Sequence, residues 1–306
     1  MRVAGGPLAL LLAALSATGL PVQAQPVDDL QRADAQVQTI GWRLSRANAR
    51  FCARGAPGIG LLLGDAQTFA DPAAARAAYG LSGDIAVAAV AAGSPAEAAG
   101  LAANAVVTAV AGTAVGPAPR KGSWDRVWAL QTRLEQAAAQ RGEVAFTLAD
   151  GRTVTVKAAP SCGVRFFLDD AKDNAAATRS EVRVGRDALA RLGGDETMIA
   201  AMLAHELAHA ALDHEGVLGP GTWTTAAVRR TEREADRLSV WIMANAGYDP
   251  TAALRMVRLI GPRGLLVIPG ASHGKASTRA REMAAEIAVM RAAPDIDWAQ
   301  RFRREP

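Results

Sequence analysis

The spacing of apolar residues along the chain changes twice, at about residue 55 and again near Cys162. Over residues 28–53, Leu30, Val37, Ile40, Leu44 and Ala47 recur three, four or seven apart, which predicts one amphipathic helix. Gly55, Pro57, Gly58 and Gly60 break that pattern. Up to about Pro160 the texture is then short apolar runs between turn residues, with one predicted helix over 125–140. Residues 144–148 and 153–156 alternate around Asp150-Gly151, the signature of a hairpin. Beyond Cys162, residues 164–168 read as a strand, 173–189 as an edge strand with its approaches, and the rest as mainly helical. Asp195, after Gly193 and Gly194, is a good N-cap for a helix whose stripe of Ile199, Met202, Leu203, Leu207 and Ala211 runs until Gly216. The expected fold is α+β: a mainly helical domain with a small sheet, interrupted by a β-rich insertion. Its divisions fall at residues 1–24, 25–53, 54–160 and 161–306.

The 306 residues can bury one or two cores without staples. A net charge of +4 comes from arginines scattered along the chain, and no basic run marks a nucleic-acid surface, so no nucleic-acid partner is expected. Arg2, the apolar stretch over 8–20 and the small residues Val22 and Ala24 predict a secretory signal cleaved near Ala24. No later segment reaches about 18 apolar residues, so the mature chain is expected to carry no integral membrane segment and to be exported, in the periplasm or beyond. Cys52 and Cys162 are the two cysteines, and an oxidising compartment permits them to pair.

Chemistry concentrates in the run AMLAHELAHAALDH. His205 and His209 are four apart on the predicted helix, so both imidazoles can reach one zinc ion, one per chain, while Glu206 lies about 100° round, placed to hold a water. A catalytic zinc needs a third protein ligand. Leu212 and Glu215 stand where metzincins place glycine and histidine, which excludes that class. The helical run RRTEREADRLSVWIMANAGYDP offers Glu232 and Glu234, about 200° apart, so only one of them can face the metal. Glu232 shares a face with Asp236, which suits one as ligand and the other as acceptor for an imidazole N–H; Glu234, or a merely solvated charged face, is the alternative. His214, nine residues after His205, reads as a helix-end histidine that favours the C-terminal dipole, with a catalytic role as the alternative.

Two resemblances add to this reading. HELAHAALDH, EREAD, AGYDP, and NAAAT followed by EVRVG resemble, in order, the motifs of zinc metallopeptidases of the HtpX and CAAX prenyl protease type, including periplasmic BepA-like proteins. The resemblance covers residues 164–292 plus the leading helix and implies a zincin-type metalloendopeptidase domain. It implies His205, His209 and Glu232 as ligands, Glu206 as base, Asp236 behind the ligands, and a substrate along an edge strand near Glu181 to Val184. SHGKASTR resembles the family's late His-Pro motif, with Gly274 in place of proline, and implies that His273 and Arg279 flank the site and assist catalysis. Separately, GIGL at 58–61 and GSPAEAAGLAANAVVTAVAGTAV at 93–115 resemble a bacterial PDZ domain. That implies that Gly58, Ile59, Gly60 and Leu61 capture a peptide C-terminus while its chain adds to a sheet edge. Cys52 and Cys162 flank this module, and if its ends are neighbours a disulfide across its neck is natural.

The expected function is peptide-bond hydrolysis by an exported zinc metalloendopeptidase acting on polypeptide substrates such as misfolded envelope proteins, with recruitment by the PDZ-like module. The alternative is a periplasmic chaperone or scaffold that binds protein C-termini with little turnover.

Overall fold

The computed structural model describes residues 25–169, 174–219, 223–260, 275–294 and 301–305. The segment read as a secretory signal lies outside them. The architecture is mixed α+β. Helix α1 (Gln25–Ala47) opens the described chain, and residues 56–157 then form β1 (Ala56–Gly58), β2 (Leu61–Asp65), α2 (Pro72–Tyr79), β3 (Ile85–Val90), α3 (Pro95–Ala98), β4 (Val107–Val110), β5 (Thr113–Ala114), α4 (Asp125–Arg141), β6 (Glu143–Leu148) and β7 (Thr153–Lys157). Strand β8 (Ala159–Ser161) returns to pair antiparallel with β1. After it come β9 (Arg165–Asp169), β10 (Ala175–Ala177), β11 (Glu181–Gly185), α5 (Arg186–Arg191), α6 (Glu196–Ala211), α7 (His214–Val217), α8 (Thr225–Asn245), α9 (Ala252–Ile260) and α10 (Ala276–Ala292). Among the described residues no helix is long and apolar enough to cross a membrane.

Two separate apolar cores follow from the change in sequence texture. Ile59, Val87, Val110, Leu134, Phe146 and Val156 belong to one, built from the β5-β4-β6-β7 sheet, the β2-β3 pair and α4. The β6–β7 hairpin turns at Asp150-Gly151, where Gly151 takes the φ of +84° that a side chain resists. Helix α2 is absent from the periodicity reading because its PAAARAAY run carries no apolar stripe. Its ends are nonetheless specified: the Asp71 carboxylate accepts from the N–H groups of Ala73 and Ala74, Pro72 starts the first turn, and Gly80 closes it left-handed.

The second core joins α1, α6, α8, α9 and α10, through residues such as Val37, Ile40, Ile199, Leu203, Leu238 and Ile242. Asn48 ties the end of α1 to α8, its Nδ2 donating to the carbonyls of Leu44 at 2.9 Å and Ile242 at 3.1 Å. Gly41 lets the Phe166 ring lie directly against α1, where any Cβ would run into it. The three-stranded sheet here has the order β10-β11-β9, with β11 antiparallel to β10 and parallel to β9. Glu181 to Val184 therefore lies in the middle strand, not at the edge that the sequence suggested. Three alanines form the edge strand β10 instead, a segment with too little apolar pattern to read as a strand.

Strand edges at the junction of the two cores are closed by side chains. On β9, the Leu168 N–H donates to Asp34 at 3.1 Å and the Phe166 carbonyl accepts from Gln38, both of α1. Trp128 of α4 packs against Phe167 with ring centroids 5.3 Å apart, and Arg165 binds Glu135 of α4 and Glu181 of β11. A cleft of about 740 Å³, lined by Leu62, Phe69, Trp124 and Phe167 among others, runs beside Asp34. Cys52 and Cys162 are joined as a disulfide, with Cα atoms 5.3 Å apart across a sequence separation of 110. Closing so long a loop removes much denatured-chain entropy.

Replacing both cysteines by alanine is expected to lower stability by about 3–5 kcal/mol, read from the midpoint of chemical denaturation. Asp34 supplies a pH-dependent counterpart: burial pushes its carboxyl up to about 6, against the bond from Leu168 N–H, which lowers it. The native state thus holds this proton more tightly than the unfolded chain, so the associated stability is complete below pH 3.8 and is lost as the pH rises through about 6. Asp34→Asn is expected to raise stability by about 1–3 kcal/mol at neutral pH, with the gain vanishing toward pH 4 in denaturation series.

Candidate metal centre

Helices α6 and α8 cross with their apolar faces together and set the site between them. Asp195 caps α6 through the N–H groups of Thr197 and Met198, and Thr224 caps α8 through the N–H of Ala227. With the two helices fixed, His205 and His209 of α6 meet Glu232 of α8. Their ring Nε2 atoms are 3.3 Å apart, and Glu232 places one oxygen 3.4 Å from His205 and the other 3.5 Å from His209. His205 and Glu232 are buried and His209 nearly so.

These separations test whether the three residues fit a metal ion. Four donors arranged tetrahedrally at bond lengths of about 2.0–2.1 Å lie about 3.3–3.4 Å from one another. The 3.3 Å between the two Nε2 atoms has that size, each Nε2 has a Glu232 oxygen within 3.5 Å, and two imidazoles with one carboxylate are a donor set that borderline transition metals accept. The group of His205, His209 and Glu232 can hold a metal ion.

Behind the donors, each imidazole is held by a further residue. His205 Nδ1 lies 3.1 Å from Asp236, whose carboxylate is wholly buried and accepts two hydrogen bonds from Arg279, at 2.6 Å from Nε and 2.7 Å from Nη2. Burial works against the Asp236 charge, but the two bonds from Arg279 and the nearby His205 ring outweigh it and hold the carboxyl below its ordinary range. Arg279 is likewise opposed by burial and raised by Asp236, with Glu232 and Glu206 adding to the field. Arg279 thus grips Asp236 instead of facing outward, a position behind the ligands. Burial disfavours the His205 cation, yet Asp236 and Glu232 carry its pKa up to about 10; burial takes His209 down to about 3, Glu232 opposing and His205 and His214 adding to the shift.

On the His209 side the structure departs from the sequence reading. Helix α6 ends at Ala211, and Asp213 takes the left-handed φ of +51°. On an unbroken helix His214 would lie about 140° round from His209. The break instead swings it back, buried, with Nδ1 2.9 Å from His209 Nδ1 and Nε2 3.0 Å from Glu234. Glu234, which faces away from the donors, therefore takes part in the site from behind. Arg179 secures the turn, its Nε bonding Asp213 at 2.7 Å and its N–H bonding Glu215 at 2.9 Å. Gly216 leaves the room for that pair.

Glu206 follows His205 on α6 and is partly exposed. His273 falls outside the described residues. Gly58, Ile59, Gly60 and Leu61 lie apart from the centre, at the junction with α4, and the carbonyls of Ile59, Gly60 and Leu61 are already engaged. The Ile59 and Gly60 carbonyls accept from Ala96 and Ala91, and Gln131 of α4 spans β2, donating to the Leu61 carbonyl at 3.3 Å and accepting from the Leu63 N–H at 3.1 Å. A cavity of about 90 Å³ lies beside the loop. The β2 edge that strand addition requires is occupied by a side chain. No protein-family model matches the chain, and no curated protein matches it.

Losing Arg279 leaves a buried carboxylate unpaired, so Arg279→Met is expected to cost about 3–5 kcal/mol. Pairing it with Asp236→Asn removes the uncompensated charge and is expected to restore part of that loss. A double-mutant cycle by denaturation reads the coupling.

Proposed function

We propose that this chain is a zinc-dependent endopeptidase, with zinc held by His205, His209 and Glu232 and with Glu206 as its general base. The observation that carries the reading is the meeting of the His205 and His209 Nε2 atoms, 3.3 Å apart, with the Glu232 carboxylate, set beside a glutamate on the same helix turn. Two nitrogens and one oxygen favour zinc over calcium or magnesium, which take oxygen donors. Three protein ligands leave one position open, the arrangement of catalytic zinc sites rather than structural ones. The resemblance of HELAHAALDH and EREAD to metallopeptidases of the HtpX type supports peptide substrates.

Zinc bound there supplies Lewis acidity, activating a water and polarising a carbonyl. The carboxylate of Glu206 takes the proton of the attacking water and returns it to the amine nitrogen that leaves. Asp236 and Arg279 keep His205 oriented while this happens. His273, by the same resemblance, would steady the oxyanion. Export to an oxidising compartment is part of the proposal, and the Cys52–Cys162 disulfide is compatible with it. Recruitment of peptide C-termini by strand addition at β2 receives no support while Gln131 holds that edge.

Glu206→Gln removes the base and leaves the three donors in place. It is expected to retain zinc and to lose at least about 100-fold in the rate of casein cleavage. Full cleavage by this variant would rule out Glu206 as the base, and full cleavage after zinc removal would rule out the metallopeptidase reading.

A further inference from the structure

We infer that His214 is a positioning residue of the metal centre and that, with Glu234, it fixes the tautomer of His209. The inference rests on the zinc reading for its consequence but on hydrogen-bond logic for its content. Glu234 is an acceptor: its Oε1 takes the Glu305 N–H at 2.8 Å. Arg304 Nε lies 3.4 Å from its Oε2, a cation that favours the charged carboxylate. The carboxylate at 3.0 Å therefore requires the proton of His214 to sit on Nε2.

Everything else follows from counting protons. With Nε2 of His214 as donor, its Nδ1 is left as an acceptor, 2.9 Å from Nδ1 of His209. His209 must then carry its proton on Nδ1. Its Nε2 is consequently a lone pair, aimed at Nε2 of His205 and at Glu232. Were Nδ1 of His214 to carry a proton as well, two N–H groups would face each other across 2.9 Å, and His209 would satisfy the contact only by moving its own proton to Nε2, where it blocks a ligand. The chain Glu305 N–H, Glu234, His214, His209 thus does for the second imidazole what Arg279 and Asp236 do for the first.

The test compares His214→Phe and His214→Gln with the wild-type full chain, by zinc competition with a chromogenic chelator, zinc release rate, circular dichroism and nitrogen NMR of the histidine rings. His214→Phe is expected to hold its helical signal and to weaken zinc binding and speed release by about 10–100-fold. Gln, with an oxygen that can accept and a nitrogen that can donate, is expected to recover most of that, which a merely space-filling role would not produce. A folded His214→Phe with unchanged affinity and release overturns the inference; if Phe fails to fold, a folded Gln variant whose zinc affinity falls by the full loss of about 10–100-fold expected of Phe overturns it too. A wild type that takes up no zinc sinks the metal reading instead, and NMR then decides: a proton on Nδ1 of His209 supports the inference and one on Nε2 overturns it.

Discussion

Burial of two imidazoles and a carboxylate at the crossing of α6 and α8 is the constraint on which the rest of the site depends. Polar groups taken out of water must be bonded or they cost several kcal/mol each, of the order of 1–3 for a neutral group and more for a charged one. The donors use one side for each other, so their other sides need partners, and those partners are buried as well. Asp236 is answered by Arg279 from α10, and His214 by Glu234, itself met by Glu305 and Arg304. The requirement thus propagates outward to Arg279, itself largely buried, and to the half-exposed Arg304, and it recruits α7, α10 and residues 304–305 into a site that α6 and α8 supply with donors.

A parallel constraint acts where the two cores meet. Strands β2 and β9 both present an edge at the junction, and unpaired edges invite other chains. Both are closed from a helix: Gln131 of α4 satisfies Leu61 and Leu63, and Asp34 and Gln38 of α1 satisfy Leu168 and Phe166. Holding Asp34 there is unfavourable above about pH 6, because burial of its carboxyl outweighs the bond from the Leu168 N–H. The junction is therefore stabilised by geometry at some electrostatic cost, with the disulfide across the neck limiting how far the module can swing.

Which features the sequence makes legible follows from the range over which they are encoded. The donor helix, its Asp195 cap and the shared face of Glu232 and Asp236 are set by a period of 3.6, and the structure places them accordingly. The β6–β7 hairpin is equally local, given by Asp150-Gly151 between alternating residues. His214 escapes that reading because a single left-handed residue, Asp213, resets the helical phase, and no spacing rule anticipates it. The Gly216 that admits the Arg179–Asp213 pair was a signal, but it marks a helix end equally well. The inner position of β11 and the closure of β2 by Gln131 are tertiary facts, fixed by pairing partners remote in sequence, as is the contact of Glu234 with residues 304 and 305.

The central claim is that His205, His209 and Glu232 hold one zinc ion. X-ray absorption at the zinc edge of the purified full chain, combined with metal content, addresses it most directly. One zinc per chain is expected, with two imidazole nitrogens and carboxylate oxygen at about 2.0–2.1 Å, and with the carboxylate lost from the metal in Glu232→Ala. Substoichiometric zinc after reconstitution, or a first shell that Glu232→Ala leaves unchanged, would contradict it.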